Sequence, residues 1–289
     1  MKTKRNHLIL SAVALLVVAL TGLFTTTGCD GGTSSDTTKV KLVDPGHMNV
    51  SIFLDLSDRI TEDQQVERDC AIVTHVAKIM HDSTMTPNPG VQKSCNALRV
   101  VMHPQPTDQS VNAPLSNLVF DVQNIKVGED RRDAAIELEQ TFAKNIGLVY
   151  QKALESGDGD KWPGSDIYGY FTDGKLKQQC IKEGYRNILV LVTDGEILYS
   201  PTKKQDGNNS NFITTQILEN PEAELIVGTE GLDNLEVLVL ELRPRNQNQL
   251  PKMKSMIENW LKGMGVKKYT ICETDRPEII APAIDQFFK

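Results

Sequence analysis

Residues 47–289 of this 289-residue chain predict one α/β domain, a doubly wound, mostly parallel open sheet with helices on both faces. Three observations carry that prediction. Short aliphatic and β-branched runs alternate with longer stretches of helical period, the pattern of strands joined by crossover helices. The run at 188–192 is continuously aliphatic, as a central strand buried on both faces requires. Crossovers between parallel strands are right-handed, which distributes the helices over the two faces.

The elements follow in order. A first strand covers 50–56 within VSIFLDLSDRI, and TEDQ at 61–64 offers a capping box for a helix reaching about Met80. A second strand spans 98–103 and a short edge strand 118–122. Asp130 caps a helix to about Leu154, with apolar residues at Ala134, Ile136, Leu138, Phe142, Ile146 and Val149. A further helix is expected from about Asp166 to near Gly184, ahead of the central strand. A strand at 235–242, a helix from about 249 to 261, a strand at 269–272 and a last helix opening at Pro277, with Asp275 as its cap, complete the domain.

With 39% hydrophobic and 24% charged residues, the chain is ordinary globular material, which excludes collagen-like, disordered and multi-pass membrane classes. Its formal net charge of -7 makes nucleic acid a poor partner.

The basic start MKTKRN, the apolar run at 8–20 and the small-residue stretch TGLFTTTGC form a secretory signal peptide over 1–28. The end of that stretch resembles the lipobox of bacterial lipoproteins, with Thr27 and Gly28 preceding Cys29, although Thr26 stands where that box prefers an aliphatic residue. The resemblance implies a diacylated Cys29 followed by a flexible tether over 29–46. An uncleaved single-span anchor is the alternative, which Ser11, Thr21 and Gly22 interrupt. Either way the remainder is expected in the cell envelope, membrane-tethered outside the cytoplasm, in the periplasm or at the cell surface. In that oxidising compartment Cys70, Cys95, Cys180 and Cys272 form two bridges in any of three pairings, or serve as small buried hydrophobes.

Open sheets of this class bind ligands beyond the carboxyl ends of their strands. Asp55, Ser57 and Asp58 stand at the exit of the first strand, and Asp194 and Glu196 at the exit of the central one. If these strands are neighbours, two loops bring carboxylates and a hydroxyl to one crevice, a donor set suited to Mg²⁺ or Mn²⁺ rather than zinc.

DLSDR, PGSDIYG and VTDGE, in that order, resemble the metal-ion-dependent adhesion site of von Willebrand factor type A domains, and the strand and helix pattern is similar from about His47 to Lys289. The resemblance implies metal ligation by Asp55, Ser57, Ser165 and Asp194, and binding of a protein partner through one of its acidic side chains. Ser165 replaces the family's threonine and keeps the hydroxyl. Arg59 replaces its second serine and cannot bind a cation. Either the long side chain swings toward solvent, or it pairs with Asp55 or Asp194 and fills the site without metal. Asp58, Asp166 and Glu196 add negative charge nearby that offsets repulsion.

Enzyme motifs are wanting. GDGDKWPG has the wrong spacing for a dinucleotide fingerprint, and the sequence has neither a phosphate-binding P-loop nor a Gly-x-Ser-x-Gly elbow. Asp55 and Asp58 are three apart, where aspartate-based phosphatases need two. The five histidines lack metal-ligand spacing. DGD at 158–160 reads as a solvated linker, NNS at Asn208 as a formal glycosylation acceptor, and Trp162, Tyr168, Tyr170 and Phe171 as packing of a helix start. The polar stretch between Asp194 and Leu235 is where partner specificity is expected. Two function classes result: a non-catalytic binding module that grips a protein partner through a divalent metal, and a metal-free envelope scaffold, with metal-assisted hydrolysis a lesser alternative.

Overall fold

The computed structural model describes residues 46–86, 94–105, 109–156, 165–196 and 231–289. The expected signal peptide, Cys29, nearly all of the expected tether, DGD at 158–160, Trp162 and the stretch around Asn208 lie outside the described residues. Lys41–Lys289 is one compact unit. No described helix is long and apolar enough to cross a membrane.

The elements run β1 (Met48–Leu54), α1 (Gln65–Met85), β2 (Ala97–Val101), α2 (Gln109–Ser116), β3 (Val119–Asp121) and α3 (Gly128–Ser156). They continue with α4 (Ile167–Thr172), α5 (Lys175–Cys180), β4 (Arg186–Val192), β5 (Leu235–Leu240), α6 (Leu250–Gly263), β6 (Lys268–Ile271) and α7 (Pro277–Phe288). The strand order is β3-β2-β1-β4-β5-β6. Only β3, at one edge, is antiparallel to its neighbour. The order reverses between β1 and β4, so the expected open, doubly wound sheet is present and its topological switch point lies between these two strands.

Alternation along the strands builds two cores. Val50, Ile52 and Leu54 of β1 and Ile188, Val190 and Val192 of β4 pack beneath α1, α3 and α7. Phe53, Leu189 and Leu191 pack on the other face beneath α4, α5 and α6. A strand buried on both faces needs apolar residues at every position, which is why β4 was the plainest element in the sequence.

Several expectations are corrected. The TEDQ capping box does not form: a 3₁₀ turn over Asp58–Thr61 intervenes, and α1 starts behind Gln64, which is left-handed at φ 58° and gives no side-chain cap. Thr61 donates instead to the Asp58 carbonyl at 2.8 Å. The single helix expected after Asp166 is two, broken at Asp173–Gly174, where Gly174 adopts φ +77°. Asp275 does not cap α7; its carboxylate is bonded to Arg243. Helix α2, polar and carrying Pro114, has no counterpart in the sequence reading. No disulfide joins any two of Cys70, Cys95, Cys180 and Cys272, so the two-bridge alternative is overturned; Cys180 and Cys272 are buried. Tyr170 and Phe171 pack as expected, on Phe53 at 4.8 Å and Trp260 at 6.0 Å between ring centroids.

Candidate metal site at the sheet switch point

Strands β1 and β4 pair in parallel up to Leu54 and Val192, so Asp55 and Asp194 leave the sheet side by side, one and two residues beyond the last pair. The Asp55 amide still bonds the Val192 carbonyl at 3.1 Å. Both carboxylates are buried, 1% and 7% exposed. Asp55 is held at each oxygen: Oδ1 accepts from the Ser57 amide at 3.0 Å, and Oδ2 accepts from the Thr193 hydroxyl at 2.7 Å. Thr193 in turn accepts from the Gly195 amide at 3.0 Å. Asp194 Oδ1 accepts from the Glu196 amide at 2.8 Å, and its carbonyl from the Arg243 amide at 3.1 Å. The turn that allows this needs glycine: Gly195 has φ +87°, and a Cβ there would come within 2.4 Å of Leu242 Cδ1.

Ser165 approaches the same edge from the β2 side. The amide of the next residue, Asp166, donates to the His103 carbonyl at 2.8 Å just past β2. Asp166 itself caps α4, accepting from the Gly169 amide at 2.6 Å. Ser57 and Ser165 share a property that among the described serines only Ser94, away from this edge in sequence, also has. Both hydroxyls are buried and have no hydrogen-bond partner. Buried hydroxyls are normally bonded, because an unmade bond costs on the order of 1–3 kcal/mol. Two such orphans and two buried carboxylates at one sheet edge are all oxygen donors, the donor type that a hard divalent cation takes. Burial, and then the neighbouring Asp55, push the Asp194 carboxyl up from 3.8 to about 7, against the pull of the Glu196 amide.

Arg59 takes neither of the two expected courses. It is 1% exposed, so it does not reach solvent, and its guanidinium does not pair with the carboxylates of Asp55 or Asp194. Nη1 bonds Asp69 Oδ2 at 2.8 Å and the Asp55 backbone carbonyl at 3.3 Å. Nη2 bonds Asp69 Oδ1 at 3.2 Å and Glu241 Oε2 at 2.5 Å. Gln65 donates to both carboxylates, at 2.9 and 2.6 Å, and the Tyr150 hydroxyl donates to Asp69 at 2.6 Å. Two carboxylates therefore face this one guanidinium and direct its hydrogen bonds away from the side chains of Asp55 and Asp194, although its charge still pulls on the Asp194 carboxyl. Glu241 holds its place at φ +62°, a costly conformation for a non-glycine residue.

At the rim, Asp58 and Glu196 do not stand free. Arg245 bonds Asp58 at 2.9 Å and Glu62 at 3.3 Å and lies 3.7 Å from Glu196, while its amide donates to Glu196 at 2.8 Å. Sequence reasoning missed Asp69, Thr193, Glu241 and Arg245. A signal existed for Thr193, which belongs to the VTDGE motif; none existed for the other three.

No family model matches the chain, and no curated protein does. Among solved structures, the pilus adhesin SpaC from Lactobacillus rhamnosus GG is similar at TM-score 0.42 and 10% identity over 86% of this chain, which spans 30% of the adhesin's length. An aerotolerance-related membrane protein from Bacteroides fragilis, with multiple mutations to serine, is similar at TM-score 0.31 and 12% identity, covering 84% of this chain and 98% of that one. The conserved hypothetical protein BatB from Bacteroides thetaiotaomicron is similar at TM-score 0.32 and 10% identity, covering 83% and 98%. At these scores the likenesses bear no argument about function, and the fold rests on the sheet itself.

Proposed function

We propose that this chain is a non-catalytic binding protein of the cell envelope, lipid-anchored through Cys29, whose von Willebrand factor A-like domain holds Mg²⁺ or Mn²⁺ and grips an acidic side chain of a protein partner. Asp55, Ser57, Ser165 and Asp194 would hold the ion, with water completing its shell. An ion held by these residues would supply an electrophilic centre for a partner carboxylate.

The observation that carries this reading is the pair of orphaned hydroxyls, Ser57 and Ser165, buried at the edge where Asp55 and Asp194 emerge. The metal-free scaffold reading required Arg59 to occupy the site, and the pairing of Arg59 with Asp69 and Glu241 removes its support. Water-proton relaxation in the presence of Mn²⁺ tests the proposal. The full-length protein should enhance relaxation, as a bound ion open to water does, and an acidic peptide in excess should reduce the enhancement. No enhancement, or an enhancement retained by Asp194→Ala, would overturn it.

A further inference from the structure

We infer a second binding site, at the β2–β3 side of the sheet, which takes a small organic carboxylate on Arg99. Arg99 lies in the middle of β2, opposite Ser51 of β1 and Val119 of β3. Strand alternation places it on the face of Val101, which belongs to the core under α4, α5 and α6. Those helices pack over β1, β4 and β5, and a cavity of about 220 Å³ opens beside Arg99, walled by Val101, Leu115 and Val119 and flanked by the amides of Gln105 and Gln179.

Arg99 is half-buried, its Nε is sequestered, and that Nε has no hydrogen-bond partner. Among the described residues no carboxylate pairs with the guanidinium. The acidic residue nearest in the strand register, Asp121, is bonded to Lys182 at 2.9 Å. The Tyr170 hydroxyl is spent on Gln179 Oε1 at 3.0 Å and Cys180 Sγ at 3.3 Å. This hydrogen bond also fixes Gln179 with its Nε2 as the donor left over. The Nε withdrawn from water without an acceptor carries a cost, and an anion from outside that bonds the Nε removes it.

The site's chemistry selects the anion. One planar fork matches the two oxygens of a carboxylate, whereas a dianionic phosphate calls for more than one cation. The valine and leucine walls suit a short apolar body behind the carboxylate. The inference is independent of the metal site, which uses other strands' exits.

Calorimetric titration of the full-length protein with benzoate, with benzamide and inorganic phosphate as comparisons, tests it. Benzoate should bind saturably, and benzamide and phosphate at least about tenfold more weakly, a difference of about 1.4 kcal/mol. Arg99→Gln should lose the benzoate response while keeping the thermal midpoint of the ligand-free protein. Arg99→Lys, which keeps the charge but not the fork, should bind benzoate with reduced affinity. Absence of saturable benzoate binding would overturn the inference, as would equal affinity for benzamide or full affinity in Arg99→Gln. A drop in the ligand-free midpoint of Arg99→Gln would overturn it too, since Arg99 would then have its partner within the chain.

Discussion

Arg59 Nη2 and Glu241 Oε2 lie 2.5 Å apart, joining the exit of β1 to the exit of β5 through two side chains that are 1% and 2% exposed. Asp69, wholly buried on α1, completes the pairing from the other side. Removing one partner of a buried ion pair leaves uncompensated charge and typically costs about 3–5 kcal/mol. Arg59→Ser introduces a hydroxyl at the exit of β1, yet here it strands Asp69 and Glu241. It should lower stability by that order in urea denaturation. An unchanged midpoint would mean that the cluster is not holding the β1 exit.

The same cluster predicts a pH dependence. Two carboxylates share one guanidinium, with Arg68 Nε 3.6 Å from the second oxygen of Glu241. Burial, then Asp69, pushes the Glu241 carboxyl up from 4.5 to about 7, against the pull of Arg59. A folded-state pKa above the unfolded one means that the native protein holds a proton that the unfolded chain releases. The contribution is therefore fully present below about pH 4.5 and is lost as pH rises toward about 7. Asp194 acts in the same direction. Thermal midpoints measured across that window should fall by this contribution, and Glu241→Gln should flatten the slope; a slope equal to the natural protein's would contradict it.

Thr193 is expected to position Asp55 rather than to touch a ligand. Thr193→Val keeps the shape and removes the donor to Asp55 Oδ2, at a cost of about 1–3 kcal/mol. It should also weaken Mg²⁺ affinity, because the carboxylate is freed to turn. Equal stability and equal Mg²⁺ affinity in the variant would show that the bond orients nothing.

The tether gives a separate prediction from TTTGC at 25–29. The protein should partition into detergent, and Cys29→Ser should move it to the aqueous phase. Mass spectrometry finding residues 1–28 retained in the natural protein would contradict lipid anchoring.

How much was legible depended on distance along the chain. β1 and β4 announce themselves by apolar runs at 52–54 and 188–192 that burial on both faces favours, despite buried Asn49, Ser51 and Asn187, and the Asp and Ser residues at their exits break those runs abruptly. Helix α2 was invisible since its polar composition and Pro114 mimic a loop. TEDQ has the letters of a capping box, but the 3₁₀ turn over Asp58–Thr61 displaces the helix start past it. The fate of Arg59 was unreadable for a different reason. Its partners stand 10 and 182 residues away, Asp69 looks like a solvent-facing helix position, and nothing local marks Glu241 as left-handed. Sequence reasoning could see that a cation replaced a hydroxyl, and only the fold shows where the cation goes.

Calorimetric titration of Mg²⁺ into the full-length protein, beside Asp194→Ala, tests the central claim most directly. The account predicts one ion per chain, a thermal midpoint that rises with Mg²⁺ because only the native state binds it, weakened binding in Ser57→Ala and Ser165→Ala, and none in a folded Asp194→Ala. Neither heat nor stabilisation with Mg²⁺ or Mn²⁺, or equal binding by Asp194→Ala, would contradict it.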